Sequence, residues 1–408
     1  MQQTLKTIAG LCALGAILLL IACGRSSKGG GSSPTPAPTP PERITFSGVG
    51  TRGIFDPSIA RDPSDVTGRL WMSYSAVDPS QTWSALNVDA VATRLAYSDN
   101  NGRTWTDSGT IVSNFLDVTL PLASPNDAGT WVNEVSQLIY DPGATANERW
   151  KILWHHYLTL NRLPVNDRRR FEHGWIAMKM AGSPEGLAAA PEIKLFAGYG
   201  YDAGNNTAGG GSRSPLGGAP LIQLDTALNS ALNTCVFTEP GMYASSAALY
   251  LSLQCQHLDP ASPDRLIVLL KCASPCNTGS AASWSYLGTL LNKSNAAAFG
   301  FDDGFAASGL FASAGNLYVV ATPVQTSGAP WSAYYSGCHL FRFTDIDSAL
   351  LQKTGVHPTL IASVNGTSGS FNGACSYHAS ASNSGMLYSE LNTSVTDRFQ
   401  IFMSHTNF

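Results

Sequence analysis

Short runs in which apolar and polar residues alternate recur along most of this chain, and each run ends in a turn rich in Gly, Asn, Asp, Ser or Pro. The first group holds four such runs, between Asp56 and Gly109. Alternation with a period of two is typical of β-strands with one buried face, and helical periodicity is scarce here. The pattern therefore predicts antiparallel four-stranded sheets joined by short turns.

The group of four runs repeats along the chain. Later groups begin near Glu134, Thr238, Ser308 and Ala374, and the last group lacks one strand. Repeated four-stranded meanders are typical of a β-propeller, so we predict an all-β fold with five blades. The segment ERITFSGVG, which begins at Glu42, is expected to complete the fifth blade. A six-bladed propeller, with two blades merged in this count, and a two-sheet β-sandwich stay open as alternatives.

The first 22 residues differ from the rest, because a single Lys6 precedes an apolar stretch that runs from Ile8 to Ile21. A charged start, a short apolar stretch and small residues at its end predict a secretory signal peptide over residues 1–22. The end of this segment, LIAC, resembles a bacterial lipobox, which implies that Cys23 is the lipidated first residue of the mature chain. Gly24, in place of Asp, implies the outer membrane by the sorting pattern of such lipoproteins. An ordinary signal peptide with a chance cysteine is the alternative.

Residues 23–42 form a lipid-anchored linker in this interpretation, because Gly and Ser make its first half flexible and alternating Pro residues extend its second half. The remaining residues, 43–408, are assigned to one propeller domain, with insertions expected in loops 77–92, 158–170 and 198–220. Charged residues make up 13% of the chain and the formal net charge is −4, which argues against nucleic-acid binding. We expect a monomer in the cell envelope, held at the membrane through the N-terminal lipid alone.

Six cysteines remain once Cys12 in the signal peptide and Cys23 are set aside, and an even number is typical of an oxidising compartment. Pairing between nearest neighbours predicts the disulfides Cys235–Cys255, Cys272–Cys276 and Cys338–Cys375. Metal binding through the CASPC segment is the alternative, but no second Cys or His cluster lies near it at zinc spacing. We therefore assign no metal ligands.

The turn SDNNGRTW, from Ser98 to Trp105, resembles the Asp box of sialidases and related propellers. Ser98, Gly102, Thr104 and Trp105 match that motif, and Asn100 stands where the motif has Asp. The resemblance implies a hairpin lock at the periphery of a blade, in which Asn100 folds onto the turn backbone and Gly102 adopts a positive φ. The motif therefore supports a propeller fold and does not indicate catalytic residues.

Two segments resemble the starts of blades 1 and 3 in five-bladed glycoside hydrolases such as family 43. They are GIFDPSIARD, which contains Asp56, and FTEPGMYASSAALYL, which contains Glu239. The resemblance implies that Asp56 is the general base and Glu239 the general acid, with Glu-Pro-Gly here in place of the Glu-Gly-Pro order of the family. The resemblance also implies an Asp in blade 2 that tunes the acid, and Glu134, one position out of register, is the candidate for that role. Paired carboxyl groups hydrolyse glycosidic bonds, whereas an Asp before Pro can also be a simple turn residue.

Four further residues are candidate substrate-binding groups: Arg52, Arg61, His155 and His378. The two arginines flank the first strand, and sialidases bind the carboxylate of their substrate through three arginines. His155 and His156 are adjacent on one strand, so at most one of them faces a cavity. His378, at the start of blade 5, resembles a His that family-43 enzymes place near a calcium ion in the channel. That resemblance implies a structural Ca²⁺ and no required cofactor.

Three hypotheses for function follow from these residues. The first is an extracytoplasmic, lipid-anchored glycoside hydrolase that acts on a glycan with paired carboxyl groups. The second is a propeller that binds carbohydrate or protein at the same channel without catalysis, and the third is an exo-sialidase. Convergence of Asp56 and Glu239 on the channel would favour the first hypothesis over a structural role for both residues.

Overall fold

The protein folds into five radial β-sheets in a computed structural model. The structure describes residues 40–49, 53–77, 91–117, 129–160, 169–197, 222–233, 235–257, 264–328, 334–367, 371–378, 383–391 and 399–406. The predicted signal peptide, Cys23, almost all of the linker, Arg52 and most of the three predicted loop insertions lie outside these ranges. Within the described part of the sequence, no helix is long and apolar enough to span a membrane.

The first two blades follow two short N-terminal strands, β1 (Glu42–Arg43) and β2 (Thr45–Ser47). Blade 1 contains four antiparallel strands: β3 (Ile54–Ala60), β4 (Leu70–Val77), β5 (Val91–Ser98) and β6 (Thr104–Val112). Blade 2 is a six-stranded sheet: β7 (Phe115–Asp117), β8 (Gly129–Tyr140), β9 (Trp150–Leu160), β10 (Arg169–Ala181), β11 (Ile193–Ala197) and β12 (Ile222–Gln223).

The remaining blades have the same antiparallel order. Blade 3 contains β13 (Cys235–Ala244), β14 (Ala248–His257), β15 (Arg265–Ala273) and β16 (Trp284–Leu291). Blade 4 contains β17 (Phe305–Ser313), β18 (Asn316–Pro323) and β19 (Cys338–Asp345), with β20 (Leu350–Leu351) and β23 (Ala362–Val364) both paired to β19. A small hairpin separates these last two strands: β21 (Lys353–Thr354) and β22 (His357–Pro358). Blade 5 contains β24 (Asn372–His378), β25 (Gly385–Leu391) and β26 (Phe399–Ser404).

Helices are short in the described part of the sequence. Two are α-helices, α1 (Leu224–Ala227) and α2 (Lys293–Ala298). Four single turns of 3₁₀-helix span Ala146–Glu148, Glu185–Leu187, Ser230–Leu232 and Ala281–Ser283. The predominance of strands agrees with the alternating sequence pattern.

The innermost strand is the first strand in blades 1, 3, 4 and 5, and it is β8 in blade 2, where the short β7 pairs only with the first residues of β8. These five strands form a closed ring. Contacts run from β3 to β8, β13, β17 and β24, and from β24 back to β3. The five strands therefore surround one central channel, which confirms the predicted five-bladed β-propeller. Neither the six-bladed alternative nor the two-sheet sandwich fits this ring.

The N-terminal segment closes the ring, as the incomplete fifth unit predicts, but with fewer residues than expected. β1 adds to the outer edge of blade 5 by antiparallel pairing with β26. The polypeptide then leaves this sheet, and β2 pairs in parallel with β6 at the outer edge of blade 1. The segment thus joins the last blade to the first.

Apolar side chains fill each interface between neighbouring blades. At the interface of blades 1 and 2, Trp71 and Leu95 pack with Trp154 and Ile152 in one buried cluster. Separate clusters fill the interfaces of blades 2 and 3, 3 and 4, 4 and 5, and 5 and 1. Both faces of a radial sheet are covered by its neighbours, so the strands are buried on both sides rather than on one. This explains near-continuous apolar runs such as LIVLL in β15.

The three predicted disulfides are confirmed. Cys235–Cys255 joins β13 to β14, and Cys272–Cys276 closes the turn that follows β15. Cys338–Cys375 joins β19 of blade 4 to β24 of blade 5. His257 lies near the first pair, but both of its cysteines are oxidised and cannot bind a metal as thiolates.

The SDNNGRTW turn is a hydrogen-bonded hairpin between β5 and β6. Ser98 Oγ accepts from the Gly102 N–H at 2.9 Å, and Asn100 Oδ1 accepts from the Thr104 N–H at 3.0 Å. Asn100 Nδ2 donates to Thr104 Oγ1 at 2.8 Å, and the indole N–H of buried Trp105 donates to the Gly102 carbonyl. Asn100 therefore performs the turn-closing role that the motif predicts for it.

Asn100→Ala should lower the free energy of unfolding by about 1–2 kcal/mol, because it removes both side-chain hydrogen bonds to Thr104. Asn100→Asp should change it by less than about 0.5 kcal/mol, since a carboxylate still accepts from the Thr104 N–H and hydroxyl. Urea denaturation of the three proteins checks both values. Equal stability of Asn100→Ala and the wild type would show that the Asn100 side chain contributes nothing to the turn.

Candidate active site

The five innermost strands each have a β-bulge at an equivalent position. The residue at each bulge has a positive φ: Asp56 (53°), Val135 (53°), Glu239 (49°), Ala307 (46°) and Ala374 (52°). Non-glycine residues rarely adopt this conformation, so the backbone is locally strained at five positions around the channel. Two of the five positions hold carboxylic acids, and these are the predicted acid and base.

Backbone hydrogen bonds between neighbouring blades hold the bulges in place. The Val135 N–H donates to Ser75 Oγ at 3.0 Å, and the Ala374 N–H donates to Thr322 Oγ1 at 3.0 Å. The Asp56 N–H donates to Ser389 Oγ at 2.8 Å. In each case the acceptor is a hydroxyl on the second strand of the preceding blade. The bulges are therefore a built feature of the ring.

Asp56 lies buried between blades 1 and 2. Its Oδ2 accepts from the Ser75 hydroxyl at 2.8 Å and from the Val135 N–H at 3.1 Å. Burial raises the pKa of Asp56 well above 3.8, and the charge of Glu134 raises it further; the charge of Glu239 adds a smaller increase. The two hydrogen bonds act in the opposite direction but do not cancel these effects.

Glu239 occupies the equivalent position in blade 3, and donors contact both of its oxygens. The Tyr335 hydroxyl donates to Oε1 at 2.6 Å, and the Ala307 N–H donates to Oε2 at 2.6 Å. Burial raises the pKa of Glu239, whereas these two hydrogen bonds and the nearby Arg265 guanidinium lower it. Arg265 is itself paired with Asp303 at 2.9 Å.

Glu134 precedes the bulge residue Val135 by one position, which is the register offset seen in the sequence. Its Oε1 accepts from the Tyr157 hydroxyl at 2.7 Å. The charge of Glu134 raises the pKa of both Asp56 and Glu239, so the three carboxyl groups lie close together. Burial and like charge both favour the protonated form of a carboxyl group in such a cluster. A proton donor and an ionised carboxylate can therefore coexist at this point of the channel.

Aromatic rings extend from Asp56 to the partner of Glu239. Phe55 lies 4.7 Å from Phe399, Phe399 lies 5.7 Å from Phe371, and Phe371 stacks on Tyr335 at 4.4 Å between ring centroids. This apolar wall joins blades 1, 5 and 4 beside the carboxyl groups. Sequence reasoning missed Tyr335, because it lies in a loop between β18 and β19 with no periodic pattern to align it.

The other predicted binding residues separate into two places. His155 pairs directly with Glu134 across β8 and β9 and stacks on Tyr157, so it lies beside the carboxyl cluster. Arg61 follows the end of β3, at the opposite end of the innermost strands. His378 is at the end of β24, not at its start, and its Nε2 contacts the Asn101 carbonyl of blade 1.

The surroundings of His378 do not suit a calcium ion. Calcium prefers several oxygen ligands, whereas this ring lies against the turn at Asn101 and Gly102, and Asn383 Nδ2 donates to the same carbonyl at 2.9 Å. Burial lowers the pKa of His378 to about 4, so the ring is neutral at physiological pH. We therefore derive no step of the chemistry from a metal in this position.

The fold and the three converging carboxyl groups define a class of protein: five-bladed β-propellers with an acidic cluster in the channel. Solved structures of similar fold are glycoside hydrolases. One glycoside hydrolase aligns over 90% of this protein and 91% of its own length, with a TM-score of 0.51 and 8% identity. A thermostable family-43 glycoside hydrolase aligns over 86% of this protein and 89% of its own length, with a TM-score of 0.47 and 12% identity.

A family-32 β-fructofuranosidase of Bombyx mori aligns over 89% of this protein, with a TM-score of 0.48 and 10% identity. The alignment spans 61% of that larger enzyme. No family model and no curated protein matches the sequence. At identities this low, the similarity establishes the propeller fold, and the chemistry must be argued from the carboxyl cluster itself.

Proposed function

We propose that this protein is a glycoside hydrolase that uses Glu239 as general acid and Asp56 as general base. The supporting observation is that both residues occupy equivalent strained bulges in blades 1 and 3, with Glu134 of the intervening blade coupled to each. Hydrolysis of a glycosidic bond needs one protonated and one ionised carboxyl group on either side of the bond. A three-carboxyl cluster that retains a proton meets that requirement.

Within this proposal each residue has a separate role. Glu239 gives its proton to the glycosidic oxygen as the bond to the sugar breaks, and Asp56 in its ionised form takes a proton from the attacking water. Glu134 keeps the acid protonated through its negative charge. The substrate enters along the aromatic wall, and His155 contacts it beside Glu134.

A screen of aryl glycosides and sialosides tests the proposal. Release of the aryl group by the wild-type protein, absent from an Asp56→Asn/Glu239→Gln double variant, is the expected result. No release from any substrate, with binding of glycans retained, would instead favour the non-catalytic carbohydrate-binding propeller. That second function has one specific observation in its favour, since both oxygens of Glu239 already accept hydrogen bonds within the protein.

The exo-sialidase hypothesis receives less support. It requires a cluster of arginines around the substrate carboxylate, but Arg61 lies at the other end of the innermost strands, and Arg52 lies outside the described residues. Sialosides are therefore expected to be poor substrates in the screen.

The proposed setting is the cell envelope, with Cys23 lipidated and residues 23–42 acting as a tether. Three disulfides support an oxidising compartment. Fractionation of cells that express the wild-type protein or Cys23→Ala tests the anchor. The wild type should sediment with outer membranes and the variant should be released. The absence of nucleic-acid partners and the monomeric state remain predictions from the sequence.

Tyr335→Phe should move the alkaline limb of the kcat/KM profile to higher pH. The Tyr335 hydroxyl lowers the pKa of Glu239, so its removal raises that pKa and keeps the acid protonated at higher pH. At the pH optimum kcat/KM should fall by less than about tenfold, the effect of about one hydrogen bond. Tyr334→Phe, which alters the adjacent tyrosine, is the control and should leave the limb in place. An unmoved limb in Tyr335→Phe would show that Tyr335 does not act on the acid.

A further inference from the structure

A second cavity lies at the opposite end of the channel from the carboxyl groups. Its volume is about 560 Å³, and it is lined by residues that follow the bulges on the innermost strands. We call it the distal cavity. Ser58 and Gln137 line it two residues beyond the bulges, and Arg61 and Tyr140 line it five residues beyond them. A strand rises about 3.3 Å per residue, so Arg61 and Tyr140 are roughly 16 Å along their strands from the bulges.

Aromatic side chains from four different blades surround the distal cavity. They are Tyr140 of blade 2, Tyr243 of blade 3, Phe311 of blade 4 and Tyr377 of blade 5. Phe311 and Tyr377 stack with their centroids 4.5 Å apart. Tyr243 is half-buried, and its hydroxyl has no hydrogen-bond partner among the described residues. Aromatic rings at a polar cavity bind ligands that combine an apolar face with hydroxyl groups.

Blade 1 adds a cation to this ring of aromatic residues. Arg61 is exposed at the cavity and makes no hydrogen bond or ion pair with any described residue. By contrast, three other arginines are paired with acids: Arg69 with Asp99, Arg94 with Asp107, and Arg265 with Asp303. The adjacent Asp62 is engaged by the backbone and hydroxyl of Ser64. The Arg61 guanidinium is thus available for an anionic ligand.

The inner end of the distal cavity carries neutral polar groups, in contrast to the cationic Arg61. Gln137 Oε1 accepts a long hydrogen bond of 3.4 Å from the Ser58 hydroxyl, and Gln137 Nε2 has no partner among the described residues. The Gln137 amide and the Tyr243 hydroxyl can therefore reach a ligand in the cavity, whereas the Ser58 hydroxyl already accepts from the Leu138 N–H at 3.0 Å. Neutral donors and acceptors of this kind match sugar hydroxyls.

We propose that the distal cavity is a binding site for a carboxylated saccharide, such as a hexuronic acid residue. Arg61 pairs with the carboxylate in a two-pronged hydrogen bond, the aromatic rings pack against the apolar face of the sugar, and Gln137 bonds to a hydroxyl. The site is separate from the carboxyl cluster, and it does not depend on glycoside hydrolysis.

Isothermal titration calorimetry on Glu239→Gln tests the site without interference from turnover. The probes are D-glucuronate and D-galacturonate, with D-glucose and D-galactose as neutral counterparts and acetate as a carboxylate without a sugar. At least one uronate should bind about tenfold or more tightly than its neutral counterpart and than acetate, which is the effect expected of a charged hydrogen bond. Arg61→Gln should abolish that preference.

Two further variants make the result specific to Arg61. Arg61→Lys keeps the charge but not the planar fork, so it should retain part of the preference. Arg103→Gln changes another exposed arginine that does not line the cavity, and it should bind the uronates as the parent does. Equal binding of uronate and neutral sugar, equal binding of acetate, or an unchanged preference in Arg61→Gln would overturn the proposal. Each of these outcomes leaves the test of hydrolysis unaffected.

Discussion

Glu239→Gln should lower kcat/KM for an unactivated glycoside that the protein hydrolyses by about 10²–10⁴-fold, the usual contribution of a general acid. The change leaves the geometry of the site in place. Gln Oε1 still accepts from the Ala307 N–H, and the amide can donate to the Tyr335 oxygen that now lies 2.6 Å from the carboxyl. The loss is therefore a loss of the proton, which an amide cannot supply.

The size of the loss should depend on the leaving group. An alkyl or sugar alcohol needs protonation to depart, whereas a dinitrophenolate leaves readily without it. Glu239→Gln should thus lose much less activity on a dinitrophenyl glycoside than on an unactivated one. Steady-state kinetics on both substrates provide the measurement, and Glu185→Gln, at an exposed glutamate outside the channel, is the control. An equal loss on both substrates would mean that Glu239 positions the substrate rather than protonates it.

The repeat in the sequence explains why Asp56 and Glu239 can be paired from their positions along the chain. Each lies at the same point of an innermost strand, and the strands return to the channel once per blade. Periodicity therefore places the acids on one ring. In blade 2 the residue at the bulge is Val135. Glu134 lies one position before it and reaches the cluster from there, so it is one position out of register with Asp56 and Glu239.

Other parts of the site depend on contacts between distant segments, which a periodic pattern does not specify. Tyr335 meets Glu239 across 96 residues, and it lies outside the regular strands, in an isolated bridge with Val324. Arg61 is only five residues from Asp56 in the sequence, yet an extended strand carries it to the far end of the channel. Proximity in sequence suggests one binding site for both, and the direction of β3 separates them.

The position of His378 shows a related limit. The repeat pattern places His378 at the start of the fifth unit, but the strand begins at Asn372 and the bulge falls at Ala374. His378 is therefore four residues beyond the bulge and contacts the hairpin of blade 1 instead of the carboxyl cluster.

The prediction that each cysteine pairs with its nearest neighbour in the sequence is correct, because adjacent strands and adjacent blades bring sequence neighbours together.

Asp56→Asn should have two opposite effects: a loss of about 10²–10⁴-fold in kcat/KM and a higher melting temperature at neutral pH. The first follows because an amide cannot act as a base. The second follows because Asp56 is buried beside Glu134 and Glu239, which disfavours its charged form. Asn keeps an oxygen that accepts from Ser75 and Val135, so the variant retains the local hydrogen bonds.

The pH dependence of this stabilisation has a definite sign. The pKa of Asp56 in the fold lies well above 3.8, so the unfolded state loses the proton first as the pH rises. Ionisation of the unfolded state then favours unfolding, and the wild type loses stability from about pH 3.8 up to the raised pKa of the folded state. Asn does not titrate and escapes this loss. The melting temperatures of wild type and Asp56→Asn should therefore differ least near pH 3.5 and diverge as the pH rises to neutral, at about 1–2 °C for each kcal/mol in a domain of this size.

Calorimetric scans of both proteins between pH 3.5 and 8 measure this divergence without any substrate. Asp303→Asn is a useful contrast, because Asp303 is paired with Arg265 and loss of its charge should destabilise the fold. A gap between wild type and Asp56→Asn that stays constant with pH would mean that Asp56 is ionised in the fold throughout. In that case burial and the charge of Glu134 would not raise the pKa of Asp56, and the expected pH-dependent stabilisation by Asn would be wrong.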